Sequence, residues 1–379
     1  MTVAVVNGSV VTPAGVVADG YVLLDEGVVS AVGSGAPPEE ARTIDAAGGW
    51  IAPGFIDVQI NGGHGIDLTT QPERIDELGA FLVRYGVTAF VPTIITCPPE
   101  CRGTALETWR ARHDHAGAAV PLGVHFEGPM LSPVRRGAHP ESLLVAASVD
   151  LVAGWGPSSG VVLATVAPEL PGALAVIEEL TGRGVVVSLG HTDASAEQFT
   201  AGLAAGATYV THLFNAMRPF NHRDPGPIGA TLADGTVVAG LICDGIHVDP
   251  VAVRMAWQAL GSARLNLVTD AVEVLGLDPG GTSRIGSVDV TADEAGVRTA
   301  DGVLAGSNLA LDQAVRNLAD FTGCPVVEAL ATVTSTPADL LHLADRGRLV
   351  VGGRADVTVL DSSLEVTATI VGGELAWSS

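Results

Sequence analysis

Along the middle of the chain, short runs of Val, Ile, Leu and Ala close in a turn, give way to an amphipathic helical stretch, and begin again. The runs are FIDVQI near 55, TAFVPTI near 88, LGVHFEGP near 122, VVLATVAPE near 161, VVVSLGH near 185, YVTHLFN near 209, VVAGLICDG near 237 and LNLVTDA near 265. Strands apolar on both faces belong to a parallel sheet covered on its outer side, and stretches such as PERIDELGAFLVRYG and SAEQFTAGLAAG supply the covering helices. Eight such units predict an α/β fold, a (β/α)8 TIM barrel of about 250 residues. An open doubly wound sheet is the alternative, but no G-x-G-x-x-G follows the first strand.

The two ends of the chain read differently. VAVVNGSVVT and GYVLLDEGVVSAVG at the start, and RADVTVLDSSLEVTATIVGGELAW at the end, are β-like runs broken by Gly and Asp turn signals, without a helical period. They predict a small β-sandwich domain built from residues 1–50 and 345–379, with the barrel domain over 51–344. After the eighth strand, residues 272–307 form a Gly/Asp-rich β excursion expected to lie as a flap over the barrel mouth.

Composition narrows the chemistry. A formal charge of −23 disfavours nucleic acid or an anionic membrane as a partner, so an anionic substrate needs a local arginine cluster. All 19 basic side chains are arginine. Without lysine, a Schiff base, a pyridoxal anchor, a P-loop and a carboxylated lysine bridging two metals are excluded. No apolar run reaches membrane-spanning length and MTVAVVNGSVV lacks a signal-peptide n-region, so a cytoplasmic location is expected, with Cys97, Cys101, Cys243 and Cys324 as reduced thiols. Cys97 and Cys101 read as a loop pair rather than a metal site, and His113-Asp114-His115 as a surface helix end. Ser188 and Ser307 have no G-x-S-x-G turn around them.

In a parallel barrel every strand points its C-terminal end at one face, so the polar residues closing the runs converge. Here they are Gln59 and Asn61, His125 and Glu127, Glu169, His191, His212 with Asn215, Asp244 with His247, and Asp270. Glu127, His191 and His212 supply a carboxylate and two imidazoles, donors suited to one Zn²⁺ with a position open for water; iron(II) accepts the same set. Asp270 is placed to move the water proton to a departing amine, with an N-cap role as the bland alternative.

The blocks APGFIDVQINGG, HFEGP, LGHTDA, THLFNAM, ICDGIHV, VTDA, LAGS and GRADVTVLD, in this order, resemble the amidohydrolases. The resemblance implies metal-dependent deacetylation of an amino sugar phosphate, N-acetyl-D-glucosamine 6-phosphate. The alternatives are N-acetylgalactosamine 6-phosphate or a non-catalytic sugar-binding barrel. It implies metal ligation by Glu127, His191 and His212, catalysis by Asp270 and His247, and a homodimer. Substrate contacts are expected at Gln59, Asn61, Ala138, His139, Asn215, Ala216, Arg223, Asp244, His247, Leu304, Ala305 and Gly306, with Arg136 near His139. Many members place two histidines after the first strand; Gln59 and Asn61 stand there instead and hydrogen-bond better than they coordinate, so one metal is expected. His64 is the residue that would restore a second. In the cluster MRPFNHR, Arg223 is expected on the phosphate in preference to Arg218.

Overall fold

The computed structural model describes every residue except Met1, Glu39, Glu40, His113, Asp114, Pro279, Gly281, Glu294 and Ala295. The helix end expected at His113 and Asp114 therefore lies outside the described residues. Eight parallel strands follow one another in sequence order around a barrel: β1 (Phe55–Ile60), β2 (Val87–Ile95), β3 (Val124–Glu127), β4 (Val161–Val166), β5 (Val186–Leu189), β6 (Tyr209–Val210), β7 (Val238–Leu241) and β8 (Leu265–Leu267). Each pairs in parallel with the next. They are apolar on both faces because one face fills the barrel and the other meets helices; all of VTAFVPTII in β2 is buried. The helix Ile75–Leu82 turns Ile75, Leu78, Phe81 and Leu82 inward. The helix Ala196–Ala204 starts where Ser195 accepts the Gln198 N–H and Gln198 reciprocates, a capping box that fixes its first turn.

The seam between β8 and β1 is closed past the ends of both strands. The Asp270 N–H donates to the Gln59 carbonyl at 2.8 Å, and the Asn61 and Gly62 N–H groups donate to the Ala271 carbonyl at 2.8 and 2.9 Å. This closure sets the backbones carrying Gln59, Asn61 and Asp270 side by side at the mouth.

The chain ends build a second, mainly antiparallel sheet. Val357–Leu360 pairs with Trp50–Pro53, which lies beside Val3–Thr12, so the last segment is hydrogen-bonded into the first. The sheet encloses its own core of Val5, Val22, Ile51, Val359 and Ile370. Two buried threonines tie it to the barrel: Thr358 donates to the Gly86 carbonyl and Thr369 to the Val83 carbonyl, both at 2.7 Å.

The excursion after β8 is a three-stranded antiparallel sheet, Thr282–Ile285, Val288–Asp293 and Gly296–Thr299, with its own small core including Val272, Ile285, Val290 and Val297 against Ile95. Its first hairpin is pinned twice: the Gly286 N–H donates to Asp67 Oδ2 at 2.7 Å, and Glu273 Oε1 accepts from the Ser283 hydroxyl and the Arg284 N–H. Among the described residues no helix is long and apolar enough to cross a membrane.

Candidate functional site

Glu127 ends β3 with its carboxylate buried at the barrel mouth, and three imidazoles surround it. Its Oε1 lies 3.4 Å from His191 Nε2 and 3.1 Å from His212 Nε2, and the two Nε2 atoms are 3.1 Å apart. Its Oε2 lies 3.5 Å from His139 Nε2. Burial raises a carboxyl pKa, but the hydrogen bonds from these histidines outweigh it and hold Glu127 well below the usual carboxylate range.

Local hydrogen bonds decide what each ring offers. His191 Nδ1 faces the Arg135 carbonyl at 3.0 Å; a carbonyl only accepts, so Nδ1 carries the proton and Nε2 a lone pair. His139 is arranged in the opposite sense. Its Nδ1 accepts the Thr96 backbone N–H at 3.2 Å and lies 2.8 Å from the Thr96 hydroxyl, which leaves the proton on Nε2, facing Glu127. Glu127, His139 and His191 bring potential ligand atoms within 4.8 Å of one another. Yet neutral His139 presents a donor, while His191 presents a lone pair. Tetrahedral bonds of 2.0–2.1 Å imply ligand–ligand edges of about 3.3 Å. The triangle of Glu127 Oε1, His191 Nε2 and His212 Nε2, with edges of 3.1–3.4 Å, fits such a cation.

Asp270 lies beside this group, and the two amides of β1 join them. Gln59 Nε2 donates to Glu127 Oε1 at 3.1 Å and to Asp270 Oδ1 at 3.2 Å, while its Oε1 accepts the Thr211 hydroxyl. Asn61 Nδ2 donates to the same Asp270 oxygen at 2.7 Å. Burial, and after it the Glu127 charge, raise the Asp270 pKa. Beneath lies Asp57, pushed up to about 7 by burial and accepting the Thr269 hydroxyl at 2.6 Å. Gln59 and Asn61, expected to contact ligand or substrate, are buried under the cavity with their donors turned to the two carboxylates.

The cavity above is lined by Glu127, His191, His212 and Asp270 together with Ala138 and His139. Asn215, Ala216 and His247 form another part of the wall, and Leu304, Ala305 and Gly306, with Ile285 from the excursion, complete it. Asp244 lies behind His247: its Oδ2 is 2.6 Å from His247 Nδ1 and its Oδ1 accepts the Ile246 and His247 N–H groups, so it orients that ring. Burial opposes ionisation of Asp244, but these bonds lower its pKa overall.

Other candidates sit elsewhere. His125 is one barrel layer below the mouth, between the Thr93 and Thr165 hydroxyls at 3.0 and 2.8 Å, and burial pushes its pKa down to about 4. Glu169 accepts the Thr192 hydroxyl and the Asp193 N–H just after His191. Arg223 lies on an exposed loop and does not line the cavity, and Arg218 is paired with Asp224 at 2.9 Å. His64 stacks on Phe81, centroids 4.5 Å apart, and belongs to no cluster of metal-competent donors among the described residues. All four cysteines are free thiols. Thr96 and Thr211, which hold His139 and Gln59, had no signal in the sequence because each is a lone threonine one residue past the end of an apolar strand, with nothing in the pattern to show where its hydroxyl points.

A family model described as the amidohydrolase family matches residues 50–376. The N-acetylglucosamine-6-phosphate deacetylase of Rattus norvegicus is 42% identical over 354 residues, which cover 88% of this chain and 85% of that protein. Among solved structures, N-acetylglucosamine-6-phosphate deacetylase from Pasteurella multocida superposes with a TM-score of 0.93 at 28% identity, covering both chains fully. A mutant of the enzyme of that name from Mycobacterium smegmatis, in complex with N-acetyl-D-glucosamine-6-phosphate, superposes with a TM-score of 0.92 at 33% identity, again over both full chains.

Replacing Gln59 by Met keeps the length of the side chain and removes the amide shared by Glu127 and Asp270. Loss of a group that orients ligands costs about 10–100-fold in metal affinity or activity. Gln59→Met is expected to weaken divalent-cation binding by that factor in a chelator competition while circular dichroism stays unchanged; wild-type cation affinity would show that the amide organises nothing.

Proposed function

The chain belongs to the amidohydrolase family, and on that premise we propose that it hydrolyses N-acetyl-D-glucosamine 6-phosphate to D-glucosamine 6-phosphate and acetate. The observation that carries this reading is the convergence of a carboxylate, two imidazole Nε2 atoms and a second carboxylate on one cavity. Relatives across most of the chain bear the name of the gluco-specific enzyme rather than of a galacto-specific one.

Glu127, His191 and His212 are the residues that would hold a single divalent cation, zinc by the preference of two imidazoles and a carboxylate, with iron(II) the alternative. When bound, such a cation supplies Lewis acidity, which lowers the pKa of water from about 15.7 toward about 7 and polarises an acyl oxygen. A second cation is poorly served: Gln59 and Asn61 offer only neutral amide oxygens, that of Gln59 already accepts the Thr211 hydroxyl, and there is no lysine to bridge.

The remaining steps belong to the side chains. Asp270 has one oxygen fixed by Asn61 and Gln59, and its other oxygen takes the proton of the attacking water and returns it to the sugar nitrogen as the C–N bond breaks. The oxygen of that water ends on the acyl carbon, and acetate and the amine result. His247, with Nδ1 held by Asp244, turns Nε2 to the substrate to orient its acyl or hydroxyl oxygens. His139, also in the cavity wall, keeps its Nε2 proton toward Glu127. Ala138, Asn215, Ala216 and the segment Leu304–Ala305–Gly306 enclose the sugar, and Arg223 takes the phosphate from the exposed loop after His212.

The proposal includes a homodimer, a reading supported by exposed apolar side chains at Phe220, Val251 and Met255. It also includes a cytoplasmic location, supported by four unpaired thiols and a phosphorylated substrate.

Acetate release from the gluco and galacto sugar phosphates, with and without chelator, tests the reading: turnover of the gluco substrate, lost on chelation and restored by zinc, is expected. Asp270→Asn should lower kcat by about 10²–10⁴-fold, the contribution typical of a positioned general acid or base, with the cation retained. Near-normal turnover would remove its role. Arg223→Ala should raise KM for the phosphorylated sugar far more than for N-acetylglucosamine, and equal effects on both would withdraw the phosphate assignment.

A further inference from the structure

Glu169 lies three residues past β4 and outside the substrate cavity, yet its carboxylate is fully engaged. Oε2 accepts the Thr192 hydroxyl at 2.5 Å and Oε1 accepts the Asp193 N–H at 2.7 Å, so Glu169 grips the two residues that follow His191. Both engaged residues lead onward. Asp193 Oδ1 accepts Arg135 Nε at 2.8 Å, and the carbonyl of that same Arg135 receives the His191 Nδ1 proton. The turn is closed by the Ser132 N–H, which donates to the His191 carbonyl at 2.9 Å. Thr192 exchanges backbone bonds with the loop beyond His212: its N–H donates to the Ala216 carbonyl and its carbonyl accepts the Arg218 N–H.

His191 itself has φ 46°, a left-handed conformation that an L-residue adopts at a cost of about 1–3 kcal/mol and only where its neighbours over-determine it. Glu169, Asp193 and Arg135 supply that determination from outside the cavity. We infer that Glu169, through Thr192 and the Asp193–Arg135 ion pair, is a positioning residue that sets the ring orientation and tautomer of His191 and holds the Asn215–Ala216 wall in register with it. The inference rests on the reading of His191 as a metal ligand, and it assigns a role to a carboxylate that touches neither cation nor substrate.

Groups that orient a ligating imidazole are worth about 10–100-fold in metal affinity. In the full-length protein, Glu169→Ala is expected to weaken zinc binding by that factor in a chelator competition and to raise KM, because the Asn215–Ala216 wall loosens with it. Glu169→Gln, which keeps an acceptor oxygen, should recover most of the affinity. Should Glu169→Ala fail to fold, the half-exposed pair carries the test: Arg135→Met and Asp193→Asn should each weaken zinc binding, and the double variant should be no weaker than the weaker single one. A lowered melting temperature with unchanged zinc affinity, or additive effects of the pair, would overturn the inference. His191→Ala separates the two levels: if it keeps wild-type zinc affinity, the ligand reading falls and the inference with it. If it loses zinc while Glu169→Ala does not, only the positioning role is refuted.

Discussion

Two carboxylates buried at one cavity repel each other, and here a single neutral amide stands between them. Gln59 donates to Glu127 and to Asp270 from one nitrogen, while its oxygen is fixed by Thr211 on the β6 side of the barrel. Like charges in a low-dielectric site drive one group toward its protonated form. The two acids are pushed apart in that way: hydrogen bonds from the imidazoles hold Glu127 down, while burial and the neighbouring charge of Glu127 raise Asp270. One acid is thereby suited to ligation and the other to proton transfer, the separation of roles that acid–base chemistry on two carboxyl groups requires. The seam between β8 and β1 makes this arrangement, since the same closure that completes the ring brings Asp270 against β1.

The mouth is also where the backbone is least comfortable. His191, His212 and Asp270 have φ values of 46°, 22° and 49°, each in the left-handed region. Hydrogen bonds on both sides keep them there: Asp270 donates to the Gln59 carbonyl and accepts from the Ser307 N–H, and the His191 carbonyl accepts from Ser132. Strain of this kind clusters at functional positions, and in this chain it falls on two of the three proposed cation ligands and on the proposed proton carrier Asp270.

The barrel was legible in the sequence because strands buried on both faces leave continuous apolar runs, and polar residues that interrupt their ends are conspicuous. Depth was not legible. His125 and Glu127 share the same pleat parity and both point into the barrel, but one layer separates them, so His125 is satisfied by threonines of the neighbouring strands while Glu127 reaches the mouth. Gln59 and Asp57 are related in the same way, and the amides expected to orient ligand or substrate donate to Glu127 and Asp270. His139 comes from a loop without periodicity; its tautomer depends on a backbone N–H of Thr96, which no side-chain pattern announces. The cluster of arginines was visible, but its position outside the cavity follows from the path of an irregular loop.

Anomalous diffraction at the absorption edge of a bound zinc ion tests the central claim most directly. One peak per chain is predicted, about 2.0–2.2 Å from Glu127 Oε1, His191 Nε2 and His212 Nε2, with His139 outside the coordination sphere and the Gln59 amide still between Glu127 and Asp270. A peak coordinated by His139, or a second ion bound at Gln59 and Asn61, would contradict it.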